Sequence, residues 1–154
     1  MEIESAVARA ARSPAVEAVL RDICSLTDMG FAAVARVTET QWLACQVLDK
    51  IAFGLEPRSE LQISTTICNE VRESGKPVFI DHVMESPHWR SHPVPLLYGF
   101  QSYVSVPLIL ADGRFFGTLC AIDPAPHVVD TPAMRDAIAR LADRVVAAME
   151  PDGA

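Results

Sequence analysis

One stretch, residues 100–123, constrains the fold of this chain more than any other part of the sequence. It reads FQSYVSVPLILADGRFFGTLCAID. From Val104 and Val106 onward, every second position is apolar, a pattern that is typical of a β-strand. Asp112-Gly113 then predicts a tight hairpin turn, because glycine adopts a positive φ without steric cost. A long antiparallel hairpin near the centre of the chain indicates an antiparallel sheet with helices on at least one face.

The return strand of this hairpin, residues 115–122, is apolar on both parities except at Thr118. A strand of that composition is typically covered on both faces. Gly117 lies in its interior and predicts that another backbone or a ligand approaches closely there.

Three segments resemble the GAF domain family. Residues 106–123 match the last two strands of such domains, which follow the pattern VPI, a short turn, then G-x-L-x-x-x-D. The preceding helix and strand are similar to TTICNEVRESGKPVFIDHV, and the entry into the hairpin is similar to YGFQSYVSVPL. The resemblance extends over residues 14–150 and points to the GAF modules of bacterial sensory histidine kinases. We expect a single GAF domain over 1–154, with 1–13 as an N-terminal helical extension.

The remaining segments follow an order that is typical of an α+β domain. The expected elements are a helical region over 4–28, strands over 31–37 and 42–48, a helix within 59–73, a strand over 76–83, a short helix over 88–92 and a last helix from Thr131. The fold class is therefore α+β, with a GAF-like antiparallel sheet of five or six strands. The N- and C-terminal helices should pack on one face, and a short pocket-capping helix should lie on the other.

Local signals set the expected boundaries of these elements. Ser13, followed by a proline, predicts a break and a restart in the first helical region. Gly30 is expected to end that region in the left-handed conformation. Ser64 or Thr65 is expected to cap the next helix, and Pro93 should limit the short helix to about one turn.

Composition narrows the class of protein. Half of the 154 residues are hydrophobic, which suits one domain with a full core and excludes disorder. The net charge of −7, without a Lys/Arg-rich run, argues against a nucleic-acid partner. Glu2 and Glu4 stand where a secretion signal would be basic, and no apolar run of about 18 residues follows. These features predict a soluble, cytoplasmic protein with no membrane partner.

The chain has four cysteines, and none of them forms a C-x-x-C pair. Neither a zinc knuckle nor a thioredoxin-type motif is therefore offered. Each cysteine lies within an apolar periodic segment, so we expect reduced and mostly buried thiols.

The richest polar cluster is DHVMESPHWRSH, residues 81–92. His88 and His92 are four apart, so on a helix they would share a face and could hold a metal ion. Asp81, His82 or Glu85 would have to supply a third ligand. The pattern lacks the Glu of the HExxH motif, and we expect no metal site. Solvated histidines in a loop helix, or a role in lining a pocket for an organic ligand, are the other interpretations.

Aromatic residues concentrate in the same region, where Trp89, Tyr98, Phe100 and Tyr103 fall within fifteen residues. Such a cluster suits a planar ligand, although core packing explains it equally. Alternation and the family resemblance place Tyr103, Ser105, Cys120 and Ile122 on the concave face of the sheet. The candidate ligand-binding residues are His88, Trp89, Tyr98, Phe100, Tyr103, Ser105 and Cys120.

Two activities known among GAF domains are not indicated by the residues present. Bilin photoreceptors of the cyanobacterial type link their chromophore to a cysteine in the short helix before the last hairpin. Residues 88–100 contain no cysteine, so no covalent bilin is expected there, whereas non-covalent pigment binding stays open. Cyclic-nucleotide-binding GAF domains carry N-K-x-n-F-x-x-x-D/E after the last strand, and residues 122–126 read IDPAP instead. The cofactor, if any, is not identified by the sequence.

Free methionine sulfoxide reductases are stand-alone GAF enzymes of about this length. They use cysteines near the pocket-capping segment, a Glu shortly before a V-V-P motif and two Asp near the end of the last strand. Here Tyr103 or a neighbour occupies the Glu position, and Asp123 alone remains of the Asp pair, with Cys120 near the other position. No catalytic constellation is visible, so we expect a protein that is not an enzyme.

The resemblance implies a sensory or regulatory module of a bacterial signal-transduction protein, with a histidine kinase or other output domain outside this chain. A small ligand or a partner would shift the packing of the terminal helices, through which we expect a homodimer. The alternatives are a stand-alone enzyme of the sulfoxide reductase type and a ligand-free dimerisation spacer.

Overall fold

A computed structural model describes residues 2–56, 59–62 and 66–150 of the chain. Within these residues the helices are α1 (Ile3–Arg12), α2 (Pro14–Thr27), α3 (Cys68–Ser74), α4 (Pro93–Tyr98) and α5 (Pro132–Met149). The strands are β1 (Phe31–Val37), β2 (Gln41–Asp49), β3 (Glu60–Gln62), β4 (Val78–Ile80), β5 (Ser102–Ile109) and β6 (Phe115–Asp123). They form one antiparallel sheet in the order β3-β2-β1-β6-β5-β4. This architecture confirms the predicted fold class.

The β5–β6 hairpin is confirmed, and its strand β6 lies beside β1 at the centre of the sheet. Gly113 in its turn has φ +91°, a value that L side chains rarely adopt. The close approach predicted at Gly117 is also confirmed, because a Cβ atom at this position would collide with the backbone carbonyl of Ala35 on β1. The approaching group is therefore a neighbouring strand. The pairing register with β5 shifts between Leu108 and Ile109, opposite the start of β6.

The face that carries Val34, Val104 and Leu119 is covered by α1, α2 and α5, and we call it the helix-packed face. The break at Ser13 is confirmed, since its Oγ accepts a hydrogen bond from Val16 N at 3.2 Å and caps α2. Ala6 of α1 is fully buried against this core. The first helical region is therefore an integral part of the core of the domain.

The end of α2 differs from the prediction. Asp28 is its left-handed residue, with φ +62°, whereas Gly30 does not have a positive φ. Gly30 is needed for another reason: a Cβ atom there would collide with the Ile51 side chain. Its N–H also donates to Asp123 Oδ1 at 2.9 Å, which ties the start of β1 to the end of β6.

The opposite face is covered by α3, α4 and the loop that follows β2, and we call it the pocket face. The predicted helix over 88–92 is wrong, because these residues form turns and the helix is α4, which begins at Pro93. Proline suits the first helical turn, where its missing N–H costs nothing. His92 caps the helix, as its Nδ1 accepts from Val94 N at 3.1 Å.

Two further expectations concern the described helices and their caps. The predicted cap of α3 by Ser64 or Thr65 lies outside the described residues. Of the helices in the described ranges, none is both long enough and apolar enough to cross a membrane.

Candidate functional site

A small cavity of about 40 Å³ lies between the pocket face of the sheet and the helices α3 and α4. Its wall is formed almost entirely by apolar and aromatic side chains, with a few polar atoms at its floor. The lining residues are Phe31, Trp42, Phe53, Leu55, Leu61, Thr66, Ile67, Cys68, Val94, Tyr98, Phe100, Tyr103, Cys120 and Ile122. A volume of this size holds one or two water molecules, so the cavity is nearly closed in this conformation.

A wider depression of about 480 Å³ adjoins the cavity and shares Phe53, Tyr98 and Phe100 with it. Residues 51–55 form one wall of the depression, and residues 97–100 form another. The shared aromatic rings separate the two spaces, and we call the depression the mouth of the cavity. Phe53 is in contact with Phe31 and with Tyr98, with ring centroids 5.0 and 5.9 Å apart.

The loop that carries Phe53 is held by the carboxylate of Asp49. One oxygen accepts from Ile51 N and Phe53 N at 3.1 and 3.0 Å, and the other accepts from Gly54 N at 3.0 Å. Burial opposes ionisation, yet these backbone hydrogen bonds hold the pKa of Asp49 below its ordinary value. The loop therefore has one electrostatic anchor at its base.

A second anchor joins the two short helices. Nε2 of His92, the cap of α4, lies 2.9 Å from Glu70 Oε2 on α3. Because Nδ1 of His92 accepts a backbone hydrogen bond, Nε2 carries the proton and donates it to the carboxylate. This bond holds the cover of the cavity together across its two helices.

The floor of the cavity is a buried cluster of sulfur and hydroxyl groups around Cys68. Its Sγ lies 3.2 Å from Thr118 Oγ1, 3.3 Å from the Tyr103 hydroxyl and 3.6 Å from Ser105 Oγ. Cys120 stands beside them on β6, where its Cα pairs with that of Ser105, and its thiol donates to Ala33 O at 3.6 Å. All four side chains around Cys68 are buried.

These contacts change the acidity of the groups at the floor. The neighbouring Cys120 thiol and the surrounding hydroxyls, opposed by burial, lower the pKa of Cys68 to about 6. The pKa of Cys120 is raised well above its ordinary value, first by its proximity to Cys68 and then by burial. Burial and the charge of Cys68 also raise the pKa of Tyr103, which keeps its hydroxyl a neutral donor.

The structure places the predicted ligand-binding residues in two groups. Tyr98, Phe100, Tyr103 and Cys120 line the cavity, and Ser105 reaches its floor through Cys68. The Ile122 side chain, predicted for the same face, also lines it. Tyr103, Cys120 and Ile122, which alternation and the family resemblance place on one face, thus line one cavity.

His88 and Trp89 form the second group, outside the cavity lining. His88 is exposed, and its ring lies edge-on to Trp89 with centroids 4.6 Å apart. Trp89 is half-buried at the edge of the pocket-face core. The His88 and His92 rings are 6.4 Å apart, and His92 is engaged by Glu70 and Val94. No group of three His, Cys, Asp or Glu side chains suited to a metal ion occurs within the described ranges.

Sequence reasoning missed several residues of the site. Cys68 was expected to be a buried thiol, and nothing in the sequence indicated that it lies near Cys120, because their proximity arises from tertiary packing. Thr118 was recognisable as the one polar residue of its strand. The walls contributed by Phe53 and Leu55 come from a loop, which carries no periodic signal.

Asp123 has a structural role in this arrangement. Its carboxylate accepts hydrogen bonds from Gly30 N and Ala125 N, and His127 Nε2 lies 3.1 Å away. With both oxygens engaged, Asp123 serves to close the end of β6 against its neighbours.

The fold resembles that of several solved structures. A type II free methionine-R-sulfoxide reductase from Thermoplasma acidophilum is 12% identical, with a TM-score of 0.67, covering 93% of this chain and 94% of the other. The blue-light absorbing PixJ GAF domain from Thermosynechococcus elongatus is 12% identical, with a TM-score of 0.66 and coverages of 86% and 82%. The GAF domain of an Acinetobacter phosphoenolpyruvate-protein phosphotransferase is 11% identical, with a TM-score of 0.65 and coverages of 84% and 76%. At such identities the likeness shows a common fold.

An antiparallel sheet with long helices on one face and short helices over a cavity on the other defines an α+β domain. The family profile of the GAF domain matches residues 12–149. The chain therefore belongs to the GAF domain family. No curated protein shows significant sequence similarity to it.

Proposed function

We propose that this chain is a sensory or regulatory GAF module of a bacterial signal-transduction protein, and that it binds a small, largely apolar ligand on its pocket face. The observation that carries the proposal is the cavity itself, with an apolar wall and a polar floor. Specific ligand sites in proteins have this composition, because apolar contact supplies affinity and a few polar groups fix the orientation.

The floor indicates what kind of polar group the ligand would carry. Tyr103 lines the cavity and presents a neutral hydroxyl, whereas Thr118 and Ser105 lie behind it and contact the Cys68 sulfur. Hydroxyl donors favour an acceptor such as a carbonyl or ring nitrogen. The aromatic side chains of Phe31, Phe53 and Phe100 favour a flat apolar body.

Binding requires the cavity to enlarge. Its present volume of about 40 Å³ is far below the few hundred Å³ of a small-molecule site. The movable parts are the loop anchored by Asp49 and the helix α4, since their rings separate the cavity from its mouth. A ligand would therefore select an open state in which Phe53 and Tyr98 move outward.

The signal would leave the domain through the opposite face. Strands β5 and β6 carry the floor of the cavity on one side and contact the terminal helices on the other. A shift at Tyr103 on β5 is thereby only one strand thickness from α5, and Cys120 lies on β6, which pairs with β1 beneath α2. In our proposal, these terminal helices form a homodimer and pass the change to a histidine kinase or other output domain outside this chain.

Native mass spectrometry of freshly purified protein, with an absorption spectrum of the same sample, tests this proposal. We expect bound mass or an absorption band that is lost in Val94→Phe, because Val94 lines the cavity and a larger ring fills it. Leu96→Phe is the matched control, as Leu96 lies on the same helix and is 66% exposed. Bare protein in every sample, including after incubation with flat heteroaromatic compounds, would contradict ligand binding.

The closed cavity favours a second candidate function, a ligand-free dimerisation spacer. In that case Val94→Phe would leave the oligomeric state and the output unchanged, and no compound would bind. The same mass spectra distinguish the two functions, since a spacer predicts a bare dimer.

The low pKa of the Cys68 thiol favours a third candidate, an enzyme of the sulfoxide reductase type. Turnover of free methionine-R-sulfoxide with a thiol reductant, lost in Cys68→Ser and Cys120→Ser, would support it. Activity that survives Cys120→Ser would exclude a role for the pair.

A further inference from the structure

Two of the four cysteines meet at the floor of the cavity, although they lie far apart in the sequence. Cys68 is the first residue of α3, and Cys120 is in the middle of β6. Thr118 and Ser105, which both contact the Cys68 sulfur, are respectively the second residue before Cys120 and its cross-strand partner. The same hydroxyl groups thus bracket both thiols, and α3 and β6 have Cα atoms within 8 Å of each other.

The two thiols are chemically unequal. Cys68 has hydroxyl groups of three residues around its sulfur, which stabilise a thiolate by hydrogen bonds. Cys120 faces the Ala33 carbonyl oxygen, an acceptor that favours the protonated thiol. One nucleophilic and one protonated sulfur are the arrangement in which one cysteine is oxidised first and the other resolves it. Both cysteines border the cavity, so a small molecule that enters it reaches them.

We propose that Cys68 and Cys120 form a peroxide-reactive dithiol at the floor of the cavity. The Cys68 thiolate attacks one oxygen of hydrogen peroxide, the O–O bond breaks, and hydroxide leaves and takes up a proton to become water. Cys68 is then a sulfenic acid. The Cys120 sulfur attacks the Cys68 sulfur, the S–O bond breaks, and water leaves with the proton of Cys120. Two thiols have lost two electrons and two protons, and one peroxide has become two waters.

In the closed conformation, the size of the cavity favours a small oxidant. At about 40 Å³ it admits a molecule of roughly one or two waters, which describes hydrogen peroxide. A peptide disulfide such as oxidised glutathione is much larger than this space. The structure therefore favours oxidation by a small peroxide over thiol–disulfide exchange with a bulky partner.

The disulfide would alter the pocket directly. It would tie the first turn of α3 to β6 and would remove the thiolate that Tyr103 and Thr118 now contact. The oxidation state of Cys68 and Cys120 would thereby determine the shape and polarity of the ligand site. The chemistry itself needs no ligand, so it is tested independently of the proposed sensory function.

The experiment treats the reduced full chain with stoichiometric hydrogen peroxide, blocks free thiols under denaturing conditions and maps the peptides by mass spectrometry. We expect two of the four thiols to be lost, with a Cys68–Cys120 cross-link that a dithiol reductant reverses. In Cys120→Ser, oxidation should stop at a Cys68 sulfenic acid that dimedone traps. In Cys68→Ser, the remaining thiols should react at least tenfold more slowly.

Cys24→Ser is the matched control, because Cys24 is a buried thiol on the helix-packed face whose pKa is raised by burial. It should leave the cross-link unchanged. Peptide maps of the wild-type protein alone decide the proposal even if a variant misfolds. Cys68 and Cys120 that stay reduced, or oxidation spread evenly over all four cysteines, would overturn it.

Discussion

The two faces of one sheet differ in how they are covered. The helix-packed face lies under α1, α2 and α5, of 10, 14 and 18 residues. The pocket face lies under α3 and α4, of 7 and 6 residues, and under the loop held by Asp49. Long helices bury a continuous apolar stripe, whereas short ones leave gaps. We infer that the helix-packed face provides most of the stability of the domain, whereas the pocket face is able to rearrange.

The largest expected effect compares a leucine on each face. Leu119 is fully buried on the helix-packed face, so Leu119→Ala should lower the free energy of unfolding by about 2–5 kcal/mol. Leu61 is half-buried on the edge strand β3 and already borders a cavity, so Leu61→Ala should cost about 1 kcal/mol. Urea unfolding of both variants measures the difference. Equal losses would show that the two faces are packed alike.

A pair of glycines in the central hairpin provides the second comparison. Gly117→Ala should cost about 1–3 kcal/mol, because its Cβ would press on the Ala35 carbonyl and displace β6. Gly113→Ala has open space around it and pays only for its positive φ, about 1 kcal/mol. Only Gly117→Ala should also disturb Cys120, because both residues lie on the displaced strand β6. Thermal unfolding and peroxide mapping of both variants check this, and similar results would contradict it.

The pKa of Cys68, on the pocket face, differs in direction from the pKa values of the cysteines on the helix-packed face. Its pKa falls from an ordinary 9.0 to about 6. The unfolded chain then binds more protons between these values, so the contribution of Cys68 to stability is full above about 9 and is lost as pH falls through about 6. Ultraviolet thiolate absorption should titrate near the lower value, and Cys120→Ala should move the midpoint upward. Cys24 and Cys45 have pKa values that burial raises, to about 11 for Cys45. If thiolate absorption titrated only near pH 9, the lowered pKa of Cys68 would be contradicted.

The smallest expected effect lies on the outer surface of the helix layer. Arg144 Nη1 lies 2.9 Å from Asp22 Oδ2, and both side chains are about half exposed. An ion pair in that setting contributes little, so Arg144→Ala should change the free energy of unfolding by under about 1 kcal/mol. Sedimentation of the same variant examines the proposed dimer. A large loss of stability, measured at protein concentrations at which the chain is a dimer, would indicate that the Arg144–Asp22 ion pair lies inside a subunit interface.

The sheet could be predicted from the sequence because its signals are local. Alternation through Val104 and Val106, and the Asp112-Gly113 turn, determine the central hairpin without knowledge of its neighbours. Alternation together with the family resemblance placed Tyr103 and Cys120 on the same face, and both line the cavity.

The site itself could be predicted only in part, because its cover depends on tertiary contacts. The short helix was expected before Pro93, but it begins there, since His92 gains a cap and a partner on α3. The αL residue was expected at Gly30 and is Asp28, because Gly30 is reserved for close packing against Ile51. The apposition of Cys68 and Cys120 has no sequence signature, as strand and helix meet only in the folded state.

Hydrogen–deuterium exchange of the purified chain most directly tests the claim that one face is permanently packed and the other opens. We expect residues 50–56 and α4 to exchange much faster than α2 and α5, with protection of the first two increasing when a ligand binds or when peroxide cross-links the floor. Exchange that is equally slow in α4 and α5, and unchanged by either treatment, would contradict the account.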